Sequence, residues 1–172
     1  MAAMSSPIAA IVHAERGIAD LLLNDFAAAL NRRGRQVHGL IQQRPDGIKA
    51  DTALLDLQTG TRYPIFQNLG AGSLSCSIDS GGLAAASLVL RRALDANADL
   101  AIANRFGALE ATGGGLAAEM LALMAAEIPF LTVVADEYLP AWRHFTGAAG
   151  VELPARRAAL DDWFANLARR NT

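Results

Sequence analysis

Residues 99–110 read D-L-A-I-A-N-R-F-G-A-L-E, from Asp99 to Glu110. Leu100, Ala101, Ile102 and Ala103 form a short apolar run without polar alternation. Such a run suits a strand buried on both faces of a parallel sheet. It breaks abruptly into Asn104, Arg105, Phe106 and Gly107. In open α/β sheets, ligands sit outside the carboxyl ends of the strands. An amide, a guanidinium and an aromatic ring at such an end are placed to meet a ligand. The competing reading has Asn104 capping a turn, Arg105 pairing with a surface carboxylate and Phe106 plugging the core.

The flanking sequence alternates between the same two element types. Residues 8–12 are an apolar strand, and 13–17 are a short loop. A helix follows with Ile18, Leu22, Phe26 and Leu30 at four-residue spacing, joined by Leu21 and Ala29. Residues 37–41 make a second strand, so the start reads as a βαβ unit. Residues 42–52 are a polar surface excursion, and 52–58 with 61–66 read as a hairpin. The Gly- and Ser-rich stretch 67–77 reads as a loop, and Asp79 or Ser80 caps the next helix. That helix carries Leu83, Ala86, Leu90 and Leu94 on one face.

After the central strand, Gly113, Gly114 and Gly115 open a helix with Leu116, Met120, Leu123 and Met124 inward. Residues 129–135 form another buried strand ending at Asp136. A short helix spans 138–145, and Pro154 starts a final helix with Leu160, Trp163, Phe164 and Leu167 as its stripe. This alternation predicts an α/β fold with a mostly parallel sheet and helices on both faces.

The chain has 172 residues, which predicts one domain over 1–172 with a disordered start at 1–7. Lys and Arg total 15 against 17 Asp and Glu, a formal net charge of −2. That balance argues against a broad nucleic-acid surface but leaves room for a local anion pocket. No apolar run reaches the length of a membrane span, and no signal peptide is legible at the start. The lone Cys76 has no partner for an intramolecular disulfide. A reduced, cytoplasmic setting is the expectation. Among partners, the sequence points to a small anionic ligand, to no nucleic acid and to no membrane. The Ala-rich helices suit close packing in a homodimer. No cofactor is specified, and no metal-ligand spacing such as H-x-x-x-H or C-x-x-C occurs.

The first strand-to-helix turn is the natural anion site of such a fold, because free N–H groups and the helix dipole converge there. A working P-loop reads G-x-x-x-x-G-K-[ST]. The same eight places hold Val12, His13, Ala14, Glu15, Arg16, Gly17, Ile18 and Ala19. Only the second glycine survives, as Gly17. Ile18 replaces the lysine and Ala19 replaces the metal-binding hydroxyl. Either His13 and Arg16 are there to bring positive charge instead, or the stretch is a structural turn with solvated His13, Glu15 and Arg16.

At this point residues 99–110 resemble the Walker B region of small P-loop nucleoside-triphosphatases, in which an apolar strand ends in Asp-Glu followed by x-G-x-x-E. Gly107 and Glu110 match in place, while Asn104 and Arg105 replace the acidic pair. More closely, the whole chain resembles the bacterial family called domain of unknown function 2478. The segments that carry this are N-R-F-G-x-L-E, L-D-L-Q-T-G at 55–60, C-S-I-D at 76–79 and W-R-H-F-T-G at 142–147. The resemblance implies a P-loop-like three-layer sandwich and a connection to oxyanions such as molybdate.

The substitutions have chemical consequences. An Asp at the strand end binds Mg²⁺, and a neighbouring Glu activates water. Arginine is a fixed cation with a planar fork suited to oxyanions. The expected function is therefore binding of a nucleotide, phosphate or oxyanion with little or no hydrolysis. Arg105 is the expected charge clamp, Gly17 part of the backbone cradle and Asn104 an orienting amide. The first alternative is an active Mg-dependent nucleoside-triphosphatase with displaced carboxylates drawn from Asp79, Glu110 and Asp136. The second is a non-catalytic interaction scaffold. Trp142 is a further candidate, either stacking on a base or buried in the core.

Overall fold

The computed structural model describes residues 6–13, 17–68 and 76–169. The chain order is β1 (Ile8–His13), α1 (Ile18–Arg32), β2 (Val37–Gln43), β3 (Ala53–Asp56), β4 (Arg62–Pro64), β5 (Phe66–Asn68), β6 (Cys76–Ile78) and α2 (Ser80–Asp95). Then come β7 (Leu100–Ala103), α3 (Ala108–Ala111), α4 (Ala117–Ala125), β8 (Phe130–Ala135), α5 (Leu139–Phe145), β9 (Val151–Pro154) and α6 (Arg157–Ala168). Seven strands form one sheet in the order β4-β3-β2-β7-β8-β1-β9. The five strands from β2 to β9 in that order are parallel. The expected hairpin is present as β3 and β4, and it extends the sheet edge antiparallel to β2.

The sheet separates two cores. Ala101 and Ala103 of β7 pack with Leu90 of α2, Met120 of α4 and Trp142 of α5. Leu100 and Ile102 pack on the other side with Leu23 and Phe26 of α1 and Trp163 of α6. All four β7 residues are buried, as its unbroken apolar run requires. This is the three-layer α/β sandwich of the P-loop nucleoside-triphosphatase type. β2 approaches β7 so closely that a Cβ on Gly39 would fall 1.9 Å from the Ile102 carbonyl oxygen.

Several local expectations are corrected. The buried face of α1 runs through Ala19, Leu23, Phe26, Ala27 and Leu30, whereas Ile18 is 55% and Leu21 71% exposed. A four-residue ladder drifts by about 40° per step around a helix, so its two ends cannot share one face. Pro154 ends an edge strand paired with Val12, and the final helix starts at Arg157. A proline is tolerated on an edge strand because no neighbour needs its N–H. The last helix does carry its expected stripe, with Leu160, Trp163 and Leu167 buried.

The stretch 67–77 was expected to be a loop; its ends pair as β5 and β6, and residues 69–75 lie outside the described residues. The side chain of Cys76 is also outside the described set. Of the expected disordered start, residues 1–5 lie outside it, while Pro7 accepts from Phe130 N and Ser6 from Trp163 Nε1. Among the described residues no helix is long and apolar enough to cross a membrane.

Candidate functional site

The parallel strands bring the ends of β1, β2 and β7 to one edge of the sheet, beside the first turn of α1. Ala9 and Ile11 of β1 face α1, and so do Leu100 and Ile102 of β7. The same alternation turns His13 and Asn104 towards α1. Asn104 is 1% exposed; its N–H continues the ladder to the Leu40 carbonyl at 3.1 Å. Its Nδ2 donates to Asp20 Oδ1 at 2.7 Å. Arg105 Nη2 lies 3.3 Å from Asp20 Oδ2, completing a carboxylate shared by an amide and a guanidinium. Asp20 sits in the first turn of α1, where the helix dipole favours an anion.

Arg105, expected as a clamp for a ligand, is thus held by a carboxylate of its own chain. Two buried groups nearby are less complete. His13 is buried, and among the described residues neither ring nitrogen has a hydrogen-bond partner; nor does Asn104 Oδ1. Buried polar atoms without partners are uncommon and mark places where water or a ligand completes the bonding. Gly17, at φ 95°, is the N-cap of α1, and no side chain among the described residues caps that end. Arg16 lies outside the described residues.

The other half of the central motif is structural. Phe106 was expected to face a ligand or to plug the core; it is fully buried, with Trp142 5.4 Å and Phe145 5.1 Å away between ring centroids. Trp142 is 1% exposed, so it cannot stack on an incoming base. Glu110 accepts from Gly107 N through Oε2 and from Leu116 N through Oε1, each at 3.1 Å. A carboxylate of the chain therefore ties Gly107, the N-cap of α3, to Leu116, the N-cap of α4. Gly115 permits this, because a Cβ there would fall 2.1 Å from Glu110 Oε1. Asp79 caps α2 through Gly82 N at 3.0 Å, and Asp136 is exposed after β8. Among the described residues no group of three or more His, Cys, Asp or Glu side chains is placed to hold a metal ion.

A cleft of about 770 Å³ opens from this edge. Gly17, Asp20 and Arg105 line one side, and Gln42, Arg44 and Arg62 the other. The sequence reading passed over Asp20, Arg44 and Arg62. Arg44 follows the carboxyl end of β2 directly, so the rule that singled out Asn104 and Arg105 also applied there. Nothing local marked Asp20 or Arg62.

The layered sheet and its furnished carboxyl edge define the class: a P-loop nucleoside-triphosphatase-like α/β protein that lacks the usual lysine and acidic pair. Within that class the chain belongs to the family described as protein of unknown function DUF2478, which matches residues 8–163. It is also 36% identical over 166 residues to a "Molybdenum import ATP-binding protein ModC 2" of Bradyrhizobium diazoefficiens. That match takes in 95% of this chain and 18% of the relative's length. No solved structure matches the chain.

Proposed function

We propose that this chain binds a small anionic ligand at the carboxyl edge of its sheet and hydrolyses it little or not at all. The observation that carries the reading is the set of three arginines, Arg44, Arg62 and Arg105, around one cleft beside the N-terminus of α1, which no side chain among the described residues caps. Guanidinium forks and free helical N–H groups both select oxyanions. The relative's name, with its molybdenum import and ATP binding, brings ATP and a molybdenum oxyanion into the candidate ligands, beside phosphate. Weak hydrolysis follows from side-chain chemistry. Ile18, Asn104 and Arg105 stand where a lysine and two carboxylates would act, and both oxygens of Glu110 are committed to backbone N–H groups.

The test is a thermal-shift titration with ATP and GTP, each with and without Mg²⁺, and with phosphate, sulfate and molybdate. A ligand that binds only the folded state raises the melting temperature by mass action. A metal-independent shift that weakens in Arg105→Ala is the expected result. A shift that appears only with nucleotide plus Mg²⁺, accompanied by turnover, would replace this reading with that of an active nucleoside-triphosphatase.

A further inference from the structure

The cleft beside α1 is larger than a bare oxyanion requires. Its volume of about 770 Å³ falls within the range of roughly 300–1,000 Å³ in which proteins enclose drug-sized ligands. A phosphate or molybdate, with its handful of heavy atoms, would leave most of that space empty.

The charge of the cleft is also lopsided. Among the described residues its lining holds three arginines and one carboxylate, Asp20. Asp20 already accepts from Asn104 and Arg105 on the α1 side. Arg44, just past β2, and Arg62 of β4 line the cleft from the antiparallel edge of the sheet, and neither forms an ion pair among the described residues. Arg44 is held in place rather than loose. Its Nε donates to Thr52 Oγ1 at 3.1 Å, and that hydroxyl donates to the Lys49 carbonyl at 2.7 Å. Thr52 itself is 1% exposed, so the arginine is anchored to buried structure. A guanidinium fixed through Nε offers its terminal nitrogens as a planar fork for an oxyanion.

Between the two charged walls the lining changes character. Leu21, 71% exposed, supplies apolar surface. Gln43, on the same face of β2 as Ile41, brings a side-chain amide that both donates and accepts. Such a strip suits an organic frame.

We propose that this cleft binds an organic polyanion, with at least two oxyanion groups on a frame that is part apolar and part hydrogen-bonding. Arg44 and Arg62 hold one oxyanion, and the α1 edge with Arg105 takes the other. The proposal rests on the anionic-ligand reading above and adds the ligand's class and a second anchoring wall.

Calorimetric titration without Mg²⁺ tests it, with phosphate and molybdate as single-centre probes and citrate and ATP as organic polyanions. Citrate or ATP is expected to bind at least about tenfold more tightly than either single-centre probe. Arg62→Ala and Arg44→Ala should each weaken that organic probe about tenfold, the effect of losing one charge-assisted contact. Arg62 is exposed, so its variant should melt, unliganded, at the wild-type temperature. The proposal is overturned if neither organic probe binds more tightly than phosphate, or if both variants bind it as the wild type does. In either case, phosphate or molybdate binding that weakens in Arg105→Ala leaves the anionic-ligand reading standing. Binding by none of the four probes overturns both.

Discussion

The N-termini of α4 and α1 lie at the same edge of the sheet, and the chain completes them differently. Ahead of α4 the Glu110 carboxylate accepts from the N–H groups of Gly107 and Leu116, the N-cap residues of α3 and α4, with Gly115 leaving room for it. Every acceptor oxygen of that side chain has a donor. At α1, among the described residues, no side chain caps the helix, and both His13 nitrogens and Asn104 Oδ1 lie buried without partners. Asp20 stands one turn in, between Asn104 and Arg105, on the wall of an open cleft. A polar end finished by its own chain serves stability, whereas one left incomplete beside a cleft is available to a ligand. The two halves of the central motif fall on opposite sides of that division.

The contrast can be pressed with three carboxylates, the first of them outside the edge. Asp56 is fully buried and accepts from Gln58 N, Thr59 Oγ1 and Arg92. Burial alone would push its pKa up; the hydrogen bonds from Gln58, Arg92 and Thr59 outweigh it and hold the carboxyl below its ordinary value. Because folding lowers this pKa, the stabilisation is complete above the pKa of an unfolded carboxylate. It is lost as the pH falls through the lower, folded value. Urea unfolding of Asp56→Ala should therefore show a loss of about 3 kcal/mol at neutral pH that narrows on acidification. A loss that stays constant with pH would remove the Asp56 charge from the account.

Glu110→Ala is expected to cost about 2 kcal/mol in the same assay, since two backbone donors lose their acceptor. If it unfolds like the wild type, the α4 end is not completed by Glu110 and the comparison breaks at its first term. Asp20→Asn should change stability by under about 1 kcal/mol, because the amide keeps one acceptor for Asn104. Its effect should appear in binding instead. Removing a negative charge next to Arg105 should tighten phosphate by several-fold. Weaker phosphate binding in Asp20→Asn would mean that the carboxylate chiefly orients Arg105.

Much of the fold was legible because its signals are local. The apolar run of β7, the periodicity of α2 and α6 and the turn at Thr59-Gly60 are each contained within a few residues. Where the local signal was short or ambiguous, the reading failed. Val151–Pro154 has only four residues and ends in a proline, so its place beside β1 could be seen only once β1 was there to pair with it. Ile18 and Leu21 are apolar like the core positions of α1, and only the sheet beneath decides which of them it covers.

The candidate site divides in the same way. By itself the sequence determined that the strand 100–103 is buried on both faces, that it ends in an amide and a guanidinium, and that the lysine and acidic pair of a nucleotide hydrolase are missing. Those are properties of residue type and spacing. Tertiary structure alone decided that Arg105 meets Asp20, that Phe106 turns inward and that Arg44 and Arg62 face the same cleft. Asn104 and Asp20 are 84 residues apart, and their 2.7 Å contact exists because α1 and β7 pack on the same sheet. No local pattern encodes a distance between elements; it is set by which apolar faces bury one another.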